Sequence, residues 1–240
     1  MELVKYLEWD SNFFGFNIGR IDIGKNLLDR KILDAAISES VKKNIKCLYL
    51  EIPFGPPEIL AYCSEKKFLL TDFRIIISKI LSEKTNIVSD NITCKLENKF
   101  YPALEKIAIQ ISKQSRYIYD PKFGIEWSSR LYKEWVRKSF CEKFCDDFII
   151  YIDNQEPVGI ITLKVKDGVP FIDLLGVLNN KQGKGIGRNL IDNAEKKLYE
   201  TGYRVLKVIT QGHNIKALRL YQSRNFKIEN TVLFYHIWTN

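Results

Sequence analysis

Between Phe171 and Leu190 the chain reads FIDLLGVLNNKQGKGIGRNL: an apolar run, a polar turn, then glycines at 183, 185 and 187 opening a segment of helical spacing. An apolar run bounded by turn residues reads as a buried strand. Leu190, Ile191, Ala194 and Leu198 share one face of the helix that follows. A strand that feeds a glycine-rich turn and a helix start brings unbonded backbone N–H groups to the positive end of a helix dipole, and that geometry suits a phosphate.

Two common phosphate cradles are excluded by what surrounds these glycines. Gly183, Gly185 and Gly187 do not follow the dinucleotide pattern G-x-G-x-x-G, and no acidic residue stands at the right place after a further strand. No Gly-Lys-Ser/Thr follows, so the turn is not a P-loop. Glycine turns at helix starts also arise for packing alone, so the neighbouring segments must decide.

At 240 residues, 45% of them hydrophobic, the chain can bury one large core or two modest ones. Its formal charge of +8 favours an anionic partner such as a nucleotide, CoA or nucleic acid. The basic residues are spread along the chain without a clustered basic helix, which weighs against nucleic acid. Of the five cysteines only Cys141 and Cys145 lie close together, and with two histidines no metal site is expected. No apolar segment reaches the roughly 20 residues needed to span a bilayer. The start, MELVKYLEWDSNFFGF, lacks the pattern of a secretory signal, so a cytoplasmic protein without membrane contact is expected.

Taken in order, Leu3 to Ile23 carries an aromatic group from Trp9 to Phe16, suited to a core, and then the strand-like IGRIDI. Leu27 to Lys43 has helical spacing from Leu28 to Val41, Cys47 to Ile52 reads as a strand, PPEILAYCSEKKF as a helix with proline in its first turn, and Phe73 to Ile80 as a strand. The polar stretch near Leu81 to Asn91 suggests a domain boundary, dividing the chain into 1–90 and 91–240. Beyond it, Ile92 to Leu96 is strand-like, Pro102 to Ser112 and Trp127 to Phe140 are helical, and SRYIYDPKFG between those helices suits a loop. Asp147 to Ile152 and Val158 to Val165 read as a hairpin. After the glycine turn the pattern predicts a helix to about Tyr199, a strand from Val205 to Thr210, a helix from Ile215 to Arg224 capped by Asn214, and last strands from Phe226 to Trp238.

Two of these segments together resemble a known family. Gln182-Gly183-Lys184-Gly185-Ile186-Gly187 fits Q/R-x-x-G-x-G/A, and Asn214 to Phe226 fits N-x-x-A-x-x-x-Y-x-x-x-G/N-F. They are similar to the acetyl-CoA signatures of the GNAT superfamily of N-acetyltransferases. The resemblance implies an α/β (α+β) GNAT fold, a mixed, mostly antiparallel central sheet flanked by helices over residues 91–240, with a smaller N-terminal α/β domain on the acceptor side. It implies acetyl-CoA as co-substrate and no metal. Backbone N–H groups from Gly183 to Arg188 can converge on its pyrophosphate, because glycine allows close approach and unusual φ, while Lys181, Lys184 and Arg188 add charge.

The same resemblance assigns roles. Leu175, Gly176 and Val177, in the strand before the turn, pair with the pantetheine arm, and a bulge near Leu174 to Leu178 aims an N–H at the thioester oxygen. Gln182, Gly183, Lys184, Gly185, Ile186, Gly187 and Arg188 complete the donor site with Asn214, which contacts the arm or helps order the site. Tyr221 protonates the departing thiolate, and lies two turns from Asn214 on one helix face. Asn225 replaces the family's usual glycine, and asparagine tolerates left-handed φ. For the base, Asp173 on the cofactor strand is a candidate, alongside Asp120, Glu126 and His213.

LEWDSNFFGFNIGRI and SRYIYDPKFGIEWSSRLYKEWVRKSF look like segments of two-domain GNAT enzymes related to TDP-fucosamine acetyltransferase, which acetylate the amine of a nucleotide-linked 4-amino-4,6-dideoxy sugar. This implies that Arg116, Tyr117, Tyr119, Asp120 and Phe123 line the acceptor side and that Trp9 to Phe16 packs near it. An aromatic ring could stack on a base or sugar, and an arginine could pair with a diphosphate. A peptide N-terminus as acceptor, a non-catalytic acyl-CoA-binding module and a homodimer all remain open at this stage.

Overall fold

The computed structural model describes residues 2–22, 29–83 and 91–239. Ile23, Leu27 and Leu28, assigned above to a strand end and a helix start, lie outside the described residues, as does the stretch 84–90 in which the expected boundary falls.

The chain opens with strand β1 (Val4–Tyr6), helix α1 (Glu8–Phe14), β2 (Ile18–Ile21), α2 (Arg30–Lys42), β3 (Cys47–Pro53), α3 (Pro57–Glu65) and β4 (Leu69–Ile80). It continues through β5 (Ile92–Thr93), α4 (Tyr101–Ser112), a 3-10 turn at Arg116–Tyr119, α5 (Gly124–Cys141), β6 (Asp147–Asp153), β7 (Glu156–Lys166) and β8 (Val169–Val177). The last elements are α6 (Ile186–Glu200), β9 (Val205–Gln211), α7 (Ile215–Ser223) and β10 (Lys227–Trp238). They form two compact units that interleave in sequence: Met1–Arg74 with Tyr119–Lys122 and Thr231–Asn240, and Ile75–Ile118 with Phe123–Asn230. This division differs from a single cut near residue 90, since the chain returns twice to the unit it began.

In the first unit β2 lies antiparallel to β1 and parallel to β3, and β10 pairs antiparallel with β3 from Val232↔Pro53 to Trp238↔Cys47. One continuous strand, β10, forms where the pattern predicts last strands. Leu48, Leu50 and Ile52, alternating along β3, join Leu33, Ala36, Ile59, Leu233 and Ile237 in one core. Asp29 caps α2 by accepting the Ile32 N–H at 2.8 Å. The aromatic stretch forms a helix, α1, ended by Gly15 at φ 79. Trp9 and Phe13 stack one turn apart at 5.3 Å, and Phe16 packs on Trp238 at 5.5 Å.

The second unit is a mixed, mostly antiparallel sheet in the order β9-β8-β7-β6-β5, with β8 and β9 as its parallel pair. Asn154 at φ 50 and Gln155 at φ 64 make the tight turn between β6 and β7. The apolar face of α6, through Leu190, Ile191, Ala194 and Leu198, packs with Ile149, Ile161, Leu163 and Leu206 in the core. Glu195 on the same helix is 2% exposed and takes Lys79 Nζ at 2.7 and 2.8 Å, so the buried carboxylate is paired.

At Gly176 β8 meets α4 closely: a Cβ there would stand 2.5 Å from Ile111 Cδ1 and 2.7 Å from Ile107 Cγ2. Overpacking of this kind costs about 1–3 kcal/mol. Gly176→Ala should therefore lower the melting temperature by several degrees. An unchanged thermal scan would show that α4 yields without cost.

Candidate active site

β8 and β9 pair at Phe171↔Lys207 and Ile172↔Val208, and past that point residues Asp173–Val177 of β8 and Ile209–Gln211 of β9 line a cleft of about 1010 Å³. On its other edge β8 carries a bulge. The ladder with β7 passes from Leu163↔Ile172 to Thr162↔Leu174, so Asp173 is the extra residue, one position earlier than the expected 174–178. Leu174 N–H is taken by Thr162 Oγ1 at 3.0 Å and has nothing to offer a ligand.

Antiparallel neighbours bond in alternate pairs. Leu178 N–H donates to Val158 O at 2.9 Å, so by period two Gly176 also turns its backbone groups to β7, while Leu175 and Val177 turn theirs away, toward the cleft. The Val177 carbonyl obeys this, accepting the side-chain amides of Gln110 at 2.7 Å and Gln182 at 3.0 Å.

The glycine turn lies at the end of β8. Gly183 and Gly185 both sit at φ 78, the left-handed region that favours glycine. Gly185 is the N-cap of α6 and offers no side-chain cap, and no acidic residue occupies the first turn. The N-terminal N–H groups of this helix are thus left for an anion. Gly183, Gly185, Ile186, Gly187 and Arg188 line the cleft with Gln182 and Lys181. Gly187 serves packing, since a Cβ there would meet Leu220 Cδ2 at 3.0 Å. Lys181 is committed to Asp153 at 2.7 Å, and Lys184 is exposed but outside the cleft lining.

Asn214 and Tyr221 both line the cleft, as their spacing on α7 requires. Asn214 Oδ1 accepts the Ala217 N–H at 3.1 Å and caps the helix, leaving its amide N–H groups for other partners. Tyr221 is 3% exposed and packs edge-on to Phe226 at 5.4 Å. Burial pushes its phenol above the ordinary value. Among the described residues no hydrogen bond to its hydroxyl occurs.

Of the four candidate bases, Asp173 lines the cleft, with Lys164 Nζ 3.6 Å from its carboxylate. Glu126 and His213 are exposed and outside the lining. Asp120 is fully buried: its carboxylate meets His236 Nδ1 at 2.6 Å and accepts Trp238 Nε1–H at 2.9 Å and the Lys122 N–H at 2.9 Å. Burial pushes Asp120 up, but the hydrogen bonds from His236, Lys122 and Trp238 outweigh it and hold the carboxyl below its usual range.

None of the five expected acceptor residues lines this cleft. Tyr117 and Phe123 are buried with their rings edge-to-face at 5.0 Å, and Asp120 is consumed as described. Arg116 lies over the Tyr117 ring and donates to its hydroxyl at 2.6 Å. Tyr119 is exposed. The cleft instead recruits residues that no motif marks: Gln110, Lys113, Gln114 and Tyr132 from the α4–α5 region, and Lys216 and Arg219 from α7. Polar positions on α4 beside its apolar stripe were the available signal.

Among the described residues no helix is long and apolar enough to cross a membrane, and no group of three or more His, Cys, Asp or Glu could hold a metal ion.

Two strands part around a cleft that has a glycine turn at one end and a buried tyrosine facing in. Residues 113–226 match the Acetyltransferase (GNAT) family, and the chain has the GNAT fold, a mixed sheet flanked by helices. The chain is similar to the spore coat polysaccharide biosynthesis protein SpsD of Bacillus subtilis, 28% identical over 57% of this chain and 47% of that one. It is also similar to dTDP-fucosamine acetyltransferase of Escherichia coli O6:H1, 26% identical over 63% of this chain and 65% of that one. The chain thus spans about half to two thirds of the length of these curated relatives. A GCN5-related N-acetyltransferase from Sphaerobacter thermophilus shares the fold, with a TM-score of 0.63 at 12% identity, covering 98% of this chain and 76% of that one.

Proposed function

We propose that this chain moves an acetyl group from acetyl-CoA to the amine of a nucleotide-linked amino-dideoxy sugar. The observation that carries the reading is the lining of one cleft by the unbonded start of α6, the β8 backbone at Leu175 and Val177, and Tyr221. The α6 N-terminus and Arg188 suit a pyrophosphate. The β8 backbone suits an extended amide arm that adds like a strand. The chemistry such a donor supplies is a thioester carbonyl open to attack by an amine.

The chain's own groups then divide the proton work. Asp173, directly or through water, takes a proton from the attacking amine. An N–H of the β8 edge supports the carbonyl oxygen as charge gathers there. Tyr221 gives its phenolic proton to sulfur as the C–S bond breaks. Its raised pKa keeps the phenol neutral, and a thiolate forming in the same desolvated cleft is made more basic by the same burial, so the transfer stays matched.

The sugar acceptor is supported by two relatives named for polysaccharide biosynthesis and dTDP-fucosamine acetylation. Arg116, in the unit that holds the cleft, keeps accessible surface, and we assign it acceptor contact. Steady-state assays with acetyl-CoA and a panel of dTDP- and UDP-amino sugars test the reading. CoA release with at least one of them is expected, and release with none, from a protein that binds acetyl-CoA, would refute the acceptor.

A further inference from the structure

Gln110 spends its side-chain amide on backbone, at the point where β8 enters the glycine turn. Nε2 donates to Val177 O at 2.7 Å, and the Asn179 N–H donates to Oε1 at 3.0 Å. The partners dictate the amide's orientation, since the carbonyl only accepts and the backbone N–H only donates. Gln182 Nε2 reaches the same carbonyl at 3.0 Å and Asn179 Oδ1 at 3.2 Å, and Lys216 Nζ of α7 lies 3.4 Å from Gln182 Oε1. On the same helix Ile107 and Ile111 press against Gly176, leaving no room for a side chain.

Helix α4 therefore holds the end of β8 twice, by packing at Gly176 and by hydrogen bonds at Val177 and Asn179. Fixing the Val177 carbonyl also fixes the direction of the Val177 N–H, which shares its side of the strand. Fixing the Asn179 N–H sets where the turn toward Gly183 begins. We propose that Gln110 is a positioning residue for the acyl-CoA donor, aligning the β8 edge and the glycine turn so that one extended ligand meets both. The proposal rests on the reading of this cleft as the donor site.

Gln110→Met keeps the length of the side chain and removes both bonds. Gln110→Glu retains an acceptor for the Asn179 N–H but sets a carboxylate oxygen against the Val177 carbonyl. Calorimetric titration of CoA into the full chain should show Kd weakened roughly tenfold by Gln110→Met, the cost of re-ordering the β8 edge and the turn when the ligand binds, and further by Gln110→Glu. At saturating acetyl-CoA kcat should also fall, by a smaller factor than the affinity for CoA, because the β8 edge that Gln110 aligns supports the carbonyl oxygen as well. A lowered melting temperature with an unchanged Kd would mark the bonds as merely structural and overturn the proposal. Unchanged Kd and melting temperature would overturn it equally. Absence of CoA binding by the unsubstituted protein would overturn the donor site itself and this role with it, whereas normal binding unaffected by either substitution removes the role of Gln110 alone. Should the Met variant fail to fold, Gln110→Glu, which keeps the Asn179 bond, decides.

Discussion

Tyr221→Phe should lower kcat by roughly 10²- to 10³-fold while leaving the acetyl-CoA dissociation constant nearly unchanged, the range lost when a positioned general acid is removed. The substitution deletes one oxygen from a side chain that is 3% exposed and packed against Phe226, and no hydrogen bond among the described residues depends on that oxygen. Stability should hold, and the isolated loss should fall on proton transfer to the leaving sulfur. Because burial raises the phenol's pKa, the tyrosine stays protonated through the neutral range, and the alkaline limb it governs should lie above the ordinary value of about 10. Steady-state kinetics beside a binding titration check the split. An unchanged kcat would remove Tyr221 as the acid.

Gly185→Val should act on the other half of the reaction, weakening acetyl-CoA binding at least about tenfold. A Cβ at Gly185 would meet nothing within 4 Å, so the effect does not start from a clash at that atom. The backbone is the cause: φ 78 is a true outlier for a β-branched residue, and the strain, about 1–2 kcal/mol, is relieved by moving the turn. Moving it would turn the first N–H groups of α6 away from the pyrophosphate we propose they bind. A normal dissociation constant in an equilibrium titration would refute the cradle.

Much of this cleft was legible in the residues because its parts are local. Asn214 announces a cap by its type and place, and Gly183 and Gly185 announce positive φ, so the turn and α7 could be read in sequence order. The bulge was expected on β8 from family resemblance, yet its position at Asp173 depends on how Thr162 on the neighbouring strand takes the Leu174 N–H. Gln110 was invisible for the same reason: its partners are 67 and 69 residues away, and no period in α4 betrays them. Asp120 misled in the opposite sense. Next to two tyrosines and a proline it looked like an open-loop carboxylate, but it is buried against His236 and Trp238, more than a hundred residues on. The helix α1 escaped because Trp9, Phe13, Phe14 and Phe16 form no clean apolar stripe, so their density suggested core before it suggested a helix. The interleaving of the two units came from β10, which returns to pair with β3.

The most direct test incubates the full chain with acetyl-CoA and each of a panel of dTDP- and UDP-linked amino-dideoxy sugars and reads the nucleotide sugars by mass spectrometry. The account predicts that at least one gains a single acetyl group on its amine, and gains it far more slowly with Tyr221→Phe. A panel left wholly unmodified, by protein shown by titration to hold acetyl-CoA, would contradict it.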